Sequence, residues 1–478
     1  MRALFVVPIY QFSRELRPVF EHFAAQGVDT HVLVGWTGPT AEEYAGRCAA
    51  RGMTVHRVGP PYGYGDPFAK RSAGSDTPRV SRGRPWGLID NARRARGALR
   101  RFRALRAGAD ALVERIEPDV ILGGPYHSCG YIDEGIAWAA RNRRIPLCCL
   151  SVSAYTGERN AVEARFSNVA AGMLSGLDAR ESVARRLLAG VFPSWTRSQG
   201  DMRIFAFDPW LMLASRLTGL LPRNPWRTPS EHYDVSFVES EFSRQMLLES
   251  GVDPAEVVVA GKPLLADVFA RLEDPGSLGQ IYQDLGLTEG EAFLLCNVEP
   301  SFEHRYSSWD DHWRRTRAVF DCLKRTEAPV VLSLHPLCEI DHYRPLAAEC
   351  GFALSERWSI MDLYPLCAAS VSFPCSTNTL AELFGRRLVV YDFFGHARED
   401  APRADLFRLP GAVYANDVGE LSDALSNLLA EPGFPYAPSR STEGYTAASE
   451  IILREIYERF ALGGVTAPTP ERADAVVP

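Results

Sequence analysis

The sequence predicts an α/β protein built from two Rossmann-like doubly wound domains facing a cleft. Three observations predict it. Residues 1–57 alternate short apolar runs with amphipathic helical stretches, the pattern of a parallel sheet. A second series of the same kind begins at Asp234. Between them, Asn224-Pro225 and Thr228-Pro229 read as a linker. The 478 residues are enough for two or three domains. The expected division is 1–228 for a first Rossmann-like domain, 229–440 for a second, 441–462 for a last helix and 463–478 for a disordered tail.

Ala3 to Val7 reads as a buried strand stopped by Pro8. Ser13 to Gln26 reads as a helix with Leu16, Val19, Phe20 and Phe23 on one face and Gly27 as its stop. Thr30 to Val34, a helix over Ala41 to Arg51 and Thr54 to Arg57 complete a β-α-β-α-β opening. It has no G-x-G-x-x-G, so a dinucleotide fingerprint is absent. Gly59 to Pro85, rich in Gly, Pro, Ser and Arg, reads as a mobile loop. A long helix over Trp86 to Ile116 follows, then a strand ending at Leu122 and a loop from Gly123 to Gly130. Tyr131 to Arg143 is helical, and Ile145 to Leu150 is a strand. In the second series Asp234 to Val238, Val257 to Ala260, Phe293 to Asn297, Val330 to Leu334, Ser370 to Phe373, Leu388 to Tyr391 and Ala412 to Tyr414 read as strands. Thr442 to Phe460 is a final amphipathic helix.

Composition narrows the class. Hydrophobic residues make up 46% and charged residues 23%, as in a globular protein with a full core. A net charge of −7 argues against nucleic-acid binding by the chain as a whole. The 10 cysteines include no C-x-x-C pair, which points to buried free thiols in a reducing cytoplasm rather than zinc. No apolar run approaches the ~18 residues of a membrane span. Arg93, Arg94, Arg96, Arg100, Arg101, Arg103 and Arg106 crowd one helix, which suits either a solvated face or an anionic inner-membrane surface. Trp210, Leu211, Met212 and Leu217 offer a second contact of that kind.

The chemistry concentrates at strand ends. Val371 to Asp392 reads strand, turn, helix, strand, with Ser376, Thr377, Asn378 and Thr379 opening a helix that ends at Gly385. Hydroxyls and free N–H groups there form an anion site, and Glu382 one turn further suits ribose hydroxyls. His335, stiffened by Pro336, follows a buried strand and can donate to a phosphate oxygen. Glu303, His304 and Arg305 follow another and suit a diphosphate or a sugar. His127, in the glycine-bounded loop, is a candidate base.

These motifs carry a resemblance. Val257 to Pro263, VVVAGKP, resembles the strand and glycine loop of the nucleotide-sugar-binding domain of GT-B glycosyltransferases, with Gly261 and Lys262 as nucleotide contacts. The chain is also similar to bacterial sialyltransferases and capsule-type transferases. Those show an acidic-acidic-Gly triplet, then His-Pro, then a Ser-Ser or Ser-Thr pair. Here Asp133-Glu134-Gly135, His335-Pro336 and Ser376-Thr377 occur in that order. The resemblance implies that Asp133 deprotonates the acceptor hydroxyl, that His335 assists departure of the nucleotide, and that Ser376 and Thr377 hold its phosphate. Acids are favoured at a helix start in any case. The expectation is an inverting, metal-independent transferase with a CMP- or UDP-linked donor as substrate, no cofactor, and a glycan or glycolipid acceptor. A UDP-N-acetylglucosamine 2-epimerase shares the fold, but Gly123-Gly124-Pro125, Glu303-His304-Arg305-Tyr306 and Cys375-Ser376-Thr377-Asn378 depart from its motifs. A non-catalytic nucleotide- or glycan-binding subunit is the alternative of another class.

Overall fold

A computed structural model of the chain describes residues 1–8, 10–58, 87–124, 131–150, 157–170, 177–180, 182–303, 307–335, 338–397, 408–409, 411–431, 434 and 448–462. The expected mobile loop over Gly59 to Pro85 and the expected tail lie outside them. The chain divides into two compact units: Met1–Phe166, Ser175–Leu264 and Tyr445–Pro478 form the first, Ser167–Leu174 and Leu265–Gly444 the second.

The first unit runs β1 (Arg2–Val7), α1 (Tyr10–Ala25), β2 (Asp29–Val34), α2 (Pro39–Ala50), β3 (Thr54–Arg57), α3 (Gly87–Ile116), β4 (Val120–Gly123), α4 (Ile132–Arg143) and β5 (Leu147–Leu150). It continues with α5 (Glu158–Ala170), α6 (Val183–Val191), a hairpin of β6 (Thr196–Gln199) and β7 (Met202–Phe205), α7 (Pro209–Leu217), β8 (Val235–Val238), α8 (Glu241–Glu249) and β9 (Val257–Val259). Seven strands form one parallel sheet in the order β3-β2-β1-β4-β5-β8-β9. Side chains alternate across it. Ala3, Phe5 and Val7 enter one core with α1 and α2, while Leu4 and Val6 enter the opposite core with α3 and α4. A sheet buried on both faces needs apolar residues at every position, hence the uninterrupted run from Ala3 to Val7.

This sheet moves the expected domain boundary. The strands at Val235 and Val257 belong to the first sheet, not the second, so the division falls at Leu264/Leu265 rather than 228/229. β5 is a wholly buried strand whose outer edge must be paired, and β8 pairs it, Cys148 opposite Val235. The proline-rich stretch is core: Trp226 is fully buried, and Thr228, Ser230 and His232 are buried with it. The last helix also returns to the first unit, where Ile452, Leu453 and Ile456 pack beside α1.

The second unit runs α9 (Leu264–Glu273), α10 (Pro275–Asp284), β10 (Leu294–Val298), α11 (Trp309–Lys324), β11 (Val330–Leu334), α12 (Ile340–Cys350), β12 (Ala353–Leu354) and α13 (Ile360–Leu363). Then come β13 (Ala369–Ser372), a 3-10 turn (Ser376–Asn378), α14 (Thr379–Leu383), β14 (Arg387–Tyr391), β15 (Val413–Ala415) and α15 (Val418–Leu429), and the returning helix is α16 (Ala448–Phe460). Its six parallel strands are ordered β12-β11-β10-β13-β14-β15. In each unit the chain leaves its first strand in one direction and returns to pair on the other side. The switch points fall between β1 and β4 and between β10 and β13. Ligands of open parallel sheets bind at the carboxyl ends of strands flanking such a point.

Candidate functional site

At the second unit's switch point, Asn297 interrupts an otherwise apolar β10. Its Nδ2 donates towards Ser372 Oγ (3.3 Å), Cys375 Sγ (3.4 Å) and Thr377 Oγ1 (3.3 Å), tying the end of β10 to the loop after β13. Asn378 Nδ2 closes the same loop on the Phe373 carbonyl at 2.8 Å. The long capped helix expected from Ser376 to Gly385 is therefore a correction: a 3-10 turn precedes an α-helix of five residues, and neither has a side-chain cap. The hydroxyls face other partners. Thr377 Oγ1 meets Asn297 and Cys375, and Thr379 Oγ1 donates to the Ser376 carbonyl at 2.9 Å. Glu382 is exposed on that short helix.

Glu299 follows β10. Burial pushes its carboxyl up to about 8, with Asp392 adding to the rise and Arg315 opposing it. Its backbone N–H donates to Tyr391 Oη at 3.1 Å, and that hydroxyl donates to the Asn297 carbonyl at 2.8 Å. Glu299, Ser301, His312, Arg315 and Tyr391 line one small cavity. Arg315 stacks 4.0 Å over Phe394. Asp392 caps its own loop, accepting from the His396 and Ala397 N–H groups at 2.8 and 2.7 Å. Behind them lies a buried relay. His312 Nδ1 meets Ser301 Oγ at 2.9 Å, its Nε2 meets Tyr343 Oη at 2.8 Å, and Tyr343 reaches Glu303 at 3.4 Å. His335 stands at the end of β11, where its carbonyl accepts from Cys338 at 2.8 Å. β11 and β13 flank β10, so their ends are two strand spacings apart, roughly 10 Å.

Asp133 occupies the other switch point. It lies in the first turn of α4, 7% exposed, beside the ends of β1 and β4. Its Oδ1 has no hydrogen-bond partner, and it lines a small cavity with Pro8, Gly124 and Tyr233. Burial, and then the Glu134 carboxylate, push its carboxyl up to about 7. Tyr233 Oη donates to the Gly124 carbonyl at 2.8 Å, just past the end of β4. The rest of the triplet is structural. Glu134 accepts a hydrogen bond from Ser215 inside the core. A Cβ on Gly135 would lie 2.9 Å from Ala109 Cβ, so glycine lets α4 approach α3.

Gly261 and Lys262 follow β9 and therefore belong to the first unit, not to the one that holds His335 and Thr377. Lys262 Nζ lies 3.3 Å from Glu239, at the end of β8. His127, His304, Arg305 and Pro336 lie outside the described residues. On α3, Arg93, Arg96, Arg100 and Arg103 are exposed along one stripe. Arg101 and Arg106 lie over Tyr131 and Trp138. Met212 is buried and Leu211 packs in the core beside α3, which leaves Leu217 exposed from the proposed second contact. Among the described residues no helix is long and apolar enough to cross a membrane. Asn297, Asp392 and the His312–Tyr343 pair are not marked by motif; the signal for the first two is a polar residue in or just after a buried strand, whereas His312 and Tyr343 lie inside α11 and α12.

No family model and no curated protein matches the chain. Solved structures do. The UDP-GlcNAc 2-epimerase of Neisseria meningitidis bound to UDP-GlcNAc superposes with a TM-score of 0.52 at 12% identity, covering 96% of this chain and 100% of that one. The calicheamicin glycosyltransferase CalG4 gives 0.51 at 14%, covering 96% and 98%. The chain has the GT-B fold. A 2-epimerase of Listeria monocytogenes, itself described as putative, gives 0.51 at 12% identity over 96% of both chains. These likenesses are of architecture, so chemistry has to be argued from the side chains.

Proposed function

We propose that the chain is an inverting, metal-independent glycosyltransferase moving a sugar from a CMP- or UDP-linked donor to a glycan or glycolipid acceptor. The observation that carries this reading is Asp133: a buried carboxyl with an unpartnered oxygen at the first unit's switch point. Raised to about 7, it is a carboxylate basic enough to take a proton near neutral pH. In the step proposed, an acceptor hydroxyl oxygen bonds to the anomeric carbon while Asp133 takes its proton. The bond from that carbon to the donor phosphate breaks, and its electron pair leaves on the phosphate oxygen. The second unit receives the nucleotide at the ends of β10, β11 and β13, where His335 donates to the phosphate and the Ser376–Thr377 turn, fixed by Asn297, holds it.

A second reading is a 2-epimerase acting on a UDP-linked sugar, favoured by the Neisseria and Listeria structures that share the fold. An epimerase needs no acceptor. Incubation with UDP-GlcNAc alone, followed by NMR of the sugar, separates the two. Epimerised sugar without acceptor contradicts the transferase. Transfer that requires an added glycan acceptor and is lost in Asp133→Asn supports it.

A further inference from the structure

Helix α6 is amphipathic in the inverted sense. Val183, Leu187 and Val191 are 64%, 65% and 67% exposed, and their spacing of four aligns them on one face. The inward face is made of smaller contacts, with Ala189 buried and Ala184 and Leu188 half-buried. Every other described element exposes at most one large hydrophobic side chain. Single exposed apolar residues are ordinary, but an aligned row is not. The helix is also held without that row. Ser182 caps it by accepting from the Arg185 N–H at 3.3 Å, Arg203 donates to the Ala189 carbonyl at 3.1 Å, and Phe192 stacks on Trp195 with centroids 4.0 Å apart.

We propose that the outer face of α6 is a lipid-contact surface that lays the first unit against an anionic membrane interface. Charge selects the partner. The segment Val183–Val191 contains Arg185 and Arg186 and no acid, and Arg186 is exposed between Val183 and Leu187. A short helix with an apolar row beside arginines seats its side chains at the boundary of headgroups and acyl chains. The exposed arginine stripe of α3 adds positive charge to the same unit. Size argues against a protein partner, because three side chains supply a small part of the roughly 800 Å² per side of a stable protein interface. The proposal does not depend on the nucleotide site.

Co-sedimentation of the full chain with vesicles tests it. Phosphatidylcholine vesicles with and without phosphatidylglycerol are compared, for the wild type, Leu187→Asp and Arg186→Glu. Expected are binding to the anionic vesicles that weakens with salt, a smaller fall for Arg186→Glu, and a fall of roughly tenfold or more for Leu187→Asp, the scale of withdrawing one leucine from an apolar phase. Unchanged circular dichroism confirms the fold, since Leu187 is an exposed position. Absence of binding to either vesicle overturns the proposal, as does wild-type binding by Leu187→Asp. A dimer in light scattering that Leu187→Asp dissociates, with no vesicle binding, assigns the face to a second copy and also overturns it.

Discussion

Ser215 donates a hydrogen bond to the Glu134 carboxylate, whereas Oδ1 of Asp133, the preceding residue, has no hydrogen-bond partner. Two buried acids in one helical turn thus have different surroundings. Ser215→Ala removes the donor from a buried carboxylate and is expected to lower stability by about 1–3 kcal/mol. Asp133→Asn leaves that pair in place and should retain the fold while abolishing transfer. Chemical denaturation and a transferase assay check the contrast.

The same acid makes stability depend on pH. Its folded value of about 7 lies above its ordinary 3.8, so the folded state holds that proton more tightly than the unfolded chain. The resulting stabilisation is complete below about 4 and is lost as pH rises through about 7. Glu299, raised from 4.5 to about 8, acts in the same direction over a window reaching one unit higher. At pH 8, Asp133→Asn should be more stable than the wild type, by on the order of 2 kcal/mol. Under the proposed mechanism activity is expected to run oppositely, rising through pH 7 as Asp133 ionises. Melting curves and rates from pH 5 to 9 measure both.

Gly135→Val tests the packing of α4 on α3. The added Cβ meets Ala109 at 2.9 Å and Leu105 at 3.2 Å, so the helices must separate. A loss of about 1–3 kcal/mol is expected, read from the urea midpoint.

Much of the fold was legible because a doubly wound sheet writes itself as apolar runs, and Ala3–Val7 and Val330–Leu334 could hardly be anything else. The boundary was not. Pro225 and Pro229 look like a hinge, yet Trp226 is buried among them and the chain returns to pair β8 with β5. Strand pairing is a long-range choice that local composition does not record. The site was legible in part for the same reason. The sequence places Asp133 and His335 just past strands, and both lie there, which fixes their position and not their role. The capped helix at Ser376 was misread, since its hydroxyls have tertiary partners that only the folded sheet brings near. Asn297 and Tyr343 matter through contacts 80 and 31 residues away in sequence, which no local pattern shows.

Tyr343→Phe breaks the relay behind the loop after β10. His312, 1% exposed, loses its partner at 2.8 Å, and Glu303 loses its contact at 3.4 Å. A cost of about 1–2 kcal/mol is expected from the unpaired imidazole nitrogen. If Glu303 positions the donor, the Michaelis constant for the nucleotide sugar should rise more than the turnover number falls, and steady-state kinetics show it.

The central claim is that the carboxyl ends of β10, β11 and β13 receive a nucleotide. Thermal shift of the wild type and His335→Ala with CMP, CDP, UDP and GDP tests it most directly. A nucleotide at a hundred times its dissociation constant should stabilise the wild type by about 2.7 kcal/mol, with most of the shift lost in His335→Ala. No shift with any of the four nucleotides, or an undiminished shift in the variant, would contradict the account.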